Sequence, residues 1–594
     1  MAPSRLTLLA ILLLPGTSVA APPSVTLLFP PVIQVGQTAE ITVSGADLGT
    51  IQKLVSVSGS LKTMSVTKST ISVEATAATA ATTSIDAWTM TSTGLSNPRS
   101  LLLVPHPVVV AKEQDDESPT VIPLPGTAAA RLDRAADRDL FEFAGRADQV
   151  VHVTCRSHLL DGSVLPVVTL FDSDGSELAH SKTHDREPTI TYKLPTDGIY
   201  RARVADRRFA FDASSIYTLT IEAGPRLVTT RFSAIQTNDR PIELLGHGLP
   251  GGTIDPATHL TSLMTEHDLP TNSPFWPDRR PVSTLDPGFR VNAPGSVGTA
   301  WVTRSHEPVV LETEAENDTA SHAQPLKWPA RASGRFERAG DIDWYVIDAK
   351  KGQDFEVVGW GDRLGRAMRI EAIVHDDKGK ALTTIGSLAA PKKLPITLPL
   401  FSYDPHGTWK APADGRYTIV VRDIFGGSLH GASRHYQLVV APPRPRFAAF
   451  FAVGDGKSHS GPSLHVAAKT TLTVAIVRLG GHAAPIEISA EALPEGVTAL
   501  PLLIPAGKNS GTLTLEATDQ AQVGITPIRL LAKHKNPQAA KPGDKSDTQA
   551  VLPIAHLPGP NPTHRIADGV PLAVLPPNKP TDKAKKKNES PTNK

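Results

Sequence analysis

Two stretches of the chain read almost as one phrase: "LPTDGIYRARV" at residues 194–204 and "APADGRYTIVV" at residues 411–421. Each sets an Asp-Gly turn between a proline and a tyrosine that begins a β-branched, strand-like run, with Gly198 and Gly415 expected to supply a positive φ. The match extends outward in both directions. Gly45 and Gly246 lie 201 residues apart, as do Glu113 in "HPVVVAKEQDDE" and Glu314 in "EPVVLETEAEND". "DRDLFEF" from Asp137 and "DIDWYVI" from Asp341 are separated by 204 residues, Pro195 and Pro412 by 217, and Tyr217 and Tyr436 by 219. An offset that stays flat and then steps describes a duplicated unit with a small indel and a longer insertion before Pro412.

Within each unit, short runs such as "AEITVSG", "PVVTLFD", "IYTLTIEA" and "HYQLVVA" alternate between Gly, Pro and Asp-Gly turn signals. With 53 Pro and 44 Gly in 594 residues, long helices are disfavoured, and the pattern predicts an all-β chain of tandem sandwiches. At about 100 to 200 residues per domain, that length holds roughly four to six of them. After Phe447, "TLTVAIVRLGG", "SGTLTLEAT" and "TPIRLLAKH" predict one more immunoglobulin-like sandwich over 446–556. Residues 557–594 are rich in Pro and Lys, with six lysines against Asp582 and Glu589 after Asn578, and are expected to be a disordered tail.

Lys plus Arg (60) nearly balance Asp plus Glu (59), so no overall field favours nucleic acid or an anionic membrane. Residues 1–20, "MAPSRLTLLAILLLPGTSVA", have the charged start, short apolar run and small-residue end of a secretory signal, which implies export to the periplasm, the cell surface or beyond. No later segment is apolar enough to span a membrane. The single cysteine, Cys155, alternates in phase with Val151 and Val153 and is expected in a strand's core face.

The order of motifs in each unit, an acidic run, D-x-D-x-Y, D-D-x-G, P-x-D-G-x-Y and a closing tyrosine strand, resembles the bacterial pre-peptidase C-terminal (PPC) domain. The second copy carries it as "ETEAEND", "GDIDWYVIDAKKG", "HDDKG" and "PADGRYTIVV", whereas the first has "KEQDDES" at its start. The segments before each copy, "PPSVTLLFPPVIQVGQTAEITVSGADLG" and "PRLVTTRFSAIQTNDRPIELLGHGLPGG", are similar to immunoglobulin-like IPT/TIG modules. The resulting division is 22–105 and 225–306 as IPT/TIG-like modules, and 106–224 and 307–443 as jelly-roll-like PPC sandwiches. The resemblance implies non-catalytic domains of the kind that accompany secreted peptidases and, in collagenases, bind matrix protein. It also implies calcium at the acidic edge.

Six oxygen-bearing side chains, Glu314, Glu316, Asn317, Asp318, Asp341 and Asp343, gather near one edge of the second copy, a donor set that suits calcium's six to eight hard ligands. The same acids would equally serve to solvate a linker and cap turns. The corresponding set in the first copy is Glu113, Asp115, Asp116, Glu117, Asp137 and Asp139. Six of the seven tryptophans lie between residues 276 and 409. Trp344 and Trp360 are expected to face a core, while Phe401, Tyr403 and Trp409, in "LPLFSYDPHGTW", are expected on an inserted loop. There they form either a ligand-binding platform or a cover folded back over the sandwich's end.

Catalytic signatures are missing: there is no H-E-x-x-H or G-x-S-x-G, and "GDGKS" at residues 454–458 lacks the first glycine of a phosphate loop, which falls on Phe451. The expected function is a non-catalytic, exported binding or display protein whose partner is an extracellular or envelope protein or a polysaccharide. The alternatives are an accessory subunit of a separate secreted hydrolase and an enzyme with an unrecognised site.

Overall fold

A computed structural model describes residues 21–76, 82–112, 118–181, 186–236, 241–267, 279, 285, 288–313, 317–365, 368–388, 393–398, 402–427, 430–453, 460–534, 548–558 and 563–577. The chain is all-β, built of discrete sheets. Helix among the described residues is confined to short 3-10 turns such as His158–Leu160 and Asp362–Leu364, and no helix there is long and apolar enough to cross a membrane.

The two long units are drawn to one plan. In the first, one five-stranded sheet runs Thr120–Val121, Arg138–Gly145, Gly198–Asp206, Pro166–Phe171, Glu177–His180, and faces Thr189–Lys193, Val150–Arg156, Ile216–Ala223, Gly126–Arg131, Val108–Val110. The second repeats this order strand for strand, from Gln324–Pro325 to Ala381–Thr384 in one sheet and from His406–Lys410 to Val309–Leu311 in the other. Alternating residues fill the space between the sheets, with Val151, Val153 and Cys155 all fully buried in the first core as expected.

The repeated phrase has a different anchor from the one its glycines suggest. Gly198 and Gly415 open their strands opposite Gly145 and Ala349, and Gly415 is extended at φ 159°. The turn is held instead by its neighbours. The Tyr200 hydroxyl donates to the Thr196 carbonyl at 2.7 Å and the Tyr417 hydroxyl to Ala413 at 2.8 Å. Asp197 and Asp414 accept the amides of Ala147 and Lys351, at 2.7 and 2.6 Å, from the turn beside them that joins the two sheets. The phrase recurs because each sandwich closes one corner with the same aspartate and tyrosine.

Preceding each unit is a smaller sandwich, of two four-stranded sheets in the first case and a four- and a three-stranded sheet in the second. The C-terminal module forms an extended sheet system running on past the expected boundary at 556. Thr563–Ile566 pairs with Thr548–Leu557, and Val570–Leu575 pairs with both Gly524–His534 and Ser463–His465. Residues 563–575 are therefore strands and not tail, since Leu572, Ala573 and Val574 are needed to complete the module's core. The lysine-rich residues 578–594 and residues 1–20, expected to be a signal, lie outside the described residues.

These modules do not hang as a string. Trp88, Met90 and Leu95 of the first module join the core of the C-terminal one. Val32, Leu102 and Val104 pack on Ala129 and Leu160, and Trp301 stacks on Trp360 at the equivalent junction of the second unit. Ile396 and Leu398, from the stretch the first copy lacks, pack against Phe450, Ala475 and Val477, so the insertion fastens the second unit to the C-terminal module.

Four modules converge on one buried charge network. The Arg565 guanidinium meets Asp86 at 2.8 Å and Asp161 at 2.6 Å, and Arg279 meets Asp86 and Asp568, each at 2.8 Å. Ser100 joins it, its amide donating to Asp161 at 2.9 Å and its hydroxyl accepting from Arg279 at 2.8 Å.

Candidate functional site

The acidic edge of the second unit is assembled where the chain leaves the short strand Val309–Leu311 and where Ile342–Ala349 begins. Strand alternation turns Asp343, Tyr345 and Ile347 inward. Oxygens of Asp318, Asp341 and Asp343 all lie within 4.8 Å of one another, close enough to share a cation at about 2.3 to 2.6 Å. Asn317 is buried beside them and offers its side-chain amide to Glu312 at 3.4 Å. Glu314 and Glu316 lie outside the described residues.

Two further carboxylates enter that the sequence reading missed. Glu312 accepts the Arg335 amide at 2.7 Å and the Tyr436 hydroxyl at 3.3 Å, and Tyr436 meets Tyr345 at 2.6 Å. Glu337 donates its amide to Asp341 at 2.7 Å and pairs its carboxylate with Arg335 at 3.2 Å. Arg338 closes the outer side, paired with Asp318 and 3.8 Å from Asp341.

So many acids in one buried place cannot all be ionised. Burial, reinforced by the Glu312 carboxylate, pushes the Asp343 carboxyl well above its ordinary range, and the same causes push Glu337 up to about 8. Burial also raises Glu312. Asp343 is only 1% exposed, with its carboxyl against Glu312 and Tyr436. Carboxylates buried against one another are costly without a proton or a cation between them, and the all-oxygen donor set fits calcium chemistry.

The first unit lacks this arrangement among its described residues. Asp139 accepts the Tyr217 hydroxyl, and Asp137 is satisfied by the amides of Asp133 and Arg138 and by Arg134 at 3.1 Å. Where the second copy has Glu312 and Tyr345, the first has Ala111 and Phe141. Glu113, Asp115, Asp116 and Glu117 lie outside the described residues.

Of the two arrangements expected for the aromatics, a platform or a cover, Trp409 takes the buried one. Trp409 is 8% exposed, stacked on Phe355 at 5.6 Å and edge-on to Tyr417 at 4.8 Å. It belongs to the core because "DPHGTWK" at residues 404–410 matches "EPTITYK" at 187–193, which makes His406–Lys410 a strand of the original fold and not part of the insertion. Tyr403 is exposed, at 48%, with Arg369 5.3 Å above its ring, and Phe401 lies outside the described residues. Trp360 is buried as expected, but Trp344 points to the sheet's outer face, its ring 5.5 Å from His375, because its neighbours Asp343 and Tyr345 take the inward positions.

No family model matches the chain, and no curated protein matches it. Among solved structures it is similar to the pre-peptidase C-terminal domain of collagenase from Bacillus anthracis, at 13% identity over 18% of this chain and 99% of that one, with a TM-score of 0.16. It is similar to PliG, a periplasmic lysozyme inhibitor from Aeromonas hydrophila, at 15% identity over 18% and 100%, TM-score 0.14. The surface layer protein SbsC, domains 1–6, aligns at 9% identity over 94% of this chain and 55% of that one, TM-score 0.14. Likenesses this weak say nothing of what the chain does.

Proposed function

We propose that this chain is an exported, non-catalytic binding or display protein of the cell surface or extracellular space, with a protein or polysaccharide ligand, and that calcium braces its second PPC-like unit. The observation carrying the calcium reading is the approach of the Asp318, Asp341 and Asp343 carboxylates to within 4.8 Å of one another, with Glu312 and Glu337 beside them. The PPC-like and IPT/TIG-like motif order, and a leader of the secretory kind, support the surface reading. Pull-down of the full chain on envelope polysaccharide and extracellular matrix protein, with a parallel screen on peptide and glycan substrates, tests the binding role. Turnover of a substrate without stable capture would replace it with an enzymatic one.

Calcium at 100 times its dissociation constant should stabilise the fold by about 2.7 kcal/mol, and Asp341→Ala should remove that gain. Glu337, raised to about 8 when folded, holds a proton that the unfolded chain releases near its ordinary value of 4.5. Without metal, stability should therefore fall as pH rises through that interval, and the gain from calcium should grow over the same interval as the metal displaces protons. Thermal melts with calcium and with chelator at pH 5 and pH 8 read both effects. Identical curves at millimolar calcium would leave the acids as a solvated edge.

A further inference from the structure

The five modules meet around a cleft of about 1060 Å³, lined by Ser84 of the first, Arg156 and Glu187 of the second, Arg290 of the third, His435 of the fourth and Arg529 of the last. It has the size of a small-ligand site. Its charge is one-sided. Five arginines line it, at 156, 186, 279, 290 and 529, against the carboxylates of Glu187 and Asp568; Arg279 is paired with Asp86 and Asp568 and Arg186 lies 3.8 Å from Asp362, which leaves Arg156 and Arg529 with no carboxylate within ion-pair distance among the described residues.

Comparison of the two copies singles out Glu187. Its counterpart in the second unit, Asp404, accepts the amides of Gly361, Asp362 and Arg363 and the Arg363 side chain at 3.0 Å, so both of its oxygens are used. In the first unit the position of Arg363 is Leu159. Glu187 still accepts the Leu159 amide at 2.7 Å and a bond from the Ser157 backbone, but no side chain replaces Arg363, and the Ser84 hydroxyl has no partner. The first copy thus lacks the second copy's internal ion pair at the wall of the cavity, leaving acceptors beside a group of guanidinium donors.

The geometry points to this central cavity as a binding site for a short acidic oligosaccharide, whose carboxylates the arginines take and whose hydroxyls donate to Glu187 and Ser84. Guanidinium groups match carboxylates in charge and planar geometry, and hydroxyls satisfy acceptors that a purely anionic ligand would leave unmet. This rests on the reading of the chain as a binding protein, and goes beyond it in naming a place and a ligand chemistry.

Titration calorimetry on the full chain with tetragalacturonate, tetraglutamate and neutral cellotetraose tests it. Tetragalacturonate should bind, cellotetraose should not, and Arg529→Ala and Arg156→Gln should each weaken binding roughly tenfold or more. Arg416→Ala, on an exposed strand elsewhere, should leave it unchanged. Equal binding of cellotetraose, binding indifferent to Arg529 and Arg156, or silence toward tetragalacturonate overturns the proposal. Preference for tetraglutamate would overturn it in favour of a peptide ligand. If the pull-downs capture polymer while the cavity stays silent, the cavity reading fails and the binding role stands.

Discussion

Arg565→Ala should cost the protein about 3 to 5 kcal/mol and undock its C-terminal module, because it strips the shared cation from two buried carboxylates. Asp86 and Asp161 are 2.8 and 2.6 Å from that guanidinium, and both are buried. Burial alone would raise Asp86, but Arg279 and Arg565 overcome it and hold the carboxyl below its ordinary range. Asp161 is likewise held below its ordinary range, Arg565 outweighing burial. A depressed carboxyl contributes stability above its unfolded value, near 3.9, and loses it as pH falls through its folded one. The wild type should accordingly swell in small-angle scattering only in acid, below about pH 4, whereas Arg565→Ala should be expanded and open to limited proteolysis at neutral pH. A variant with unchanged denaturation midpoint and unchanged radius would show that the network joins nothing of consequence.

Trp409→Ala should be comparably severe, at about 3 to 5 kcal/mol, since it empties a large buried site between Phe355 and Tyr417. Tyr403→Ala, at an exposed ring only a few residues away, should change stability by about 0.5 kcal/mol or less. Urea titration of the two variants separates the cases. Equal, small effects would return Trp409 to a surface role, and a fall in ligand capture by Trp409→Ala without loss of stability would do so more sharply.

The strands and the duplication were legible because both are written locally, in alternation and in turn residues that recur at a constant spacing. Trp409 could have been placed from the sequence: its phrase aligns with Tyr192 at the same offset of 217 residues that relates Pro195 to Pro412. Attention to the aromatics, and not to the Asp-Pro and Glu-Pro before them, hid it. Glu337 likewise sits 204 residues after Asp133, but it has no place in the acidic run that drew notice. The last strand, "VPLAVL", is a continuous apolar run of the kind that fully buried strands show, masked by the prolines around it. The junction of Asp86, Asp161, Arg279 and Arg565 has no such trace, because its members are ordinary charges on four modules and meet only when the modules close.

That closure sets a clock on the making of the protein. Asp86 and Arg565 are 479 residues apart. At about 5 to 20 residues per second, a ribosome needs roughly half a minute to a minute and a half to cover that distance. Until the C-terminal module is made, the first module has its sheets but not the strands that complete the cover over Trp88, Met90 and Leu95. Asp86 meets Arg279 earlier, but Asp86 and Asp161 of the second module share the Arg565 guanidinium only once the last strands emerge. A message cut short between codons 306 and 565 would release a product whose early domains have their own sheets and still lack the cation that joins them to the last.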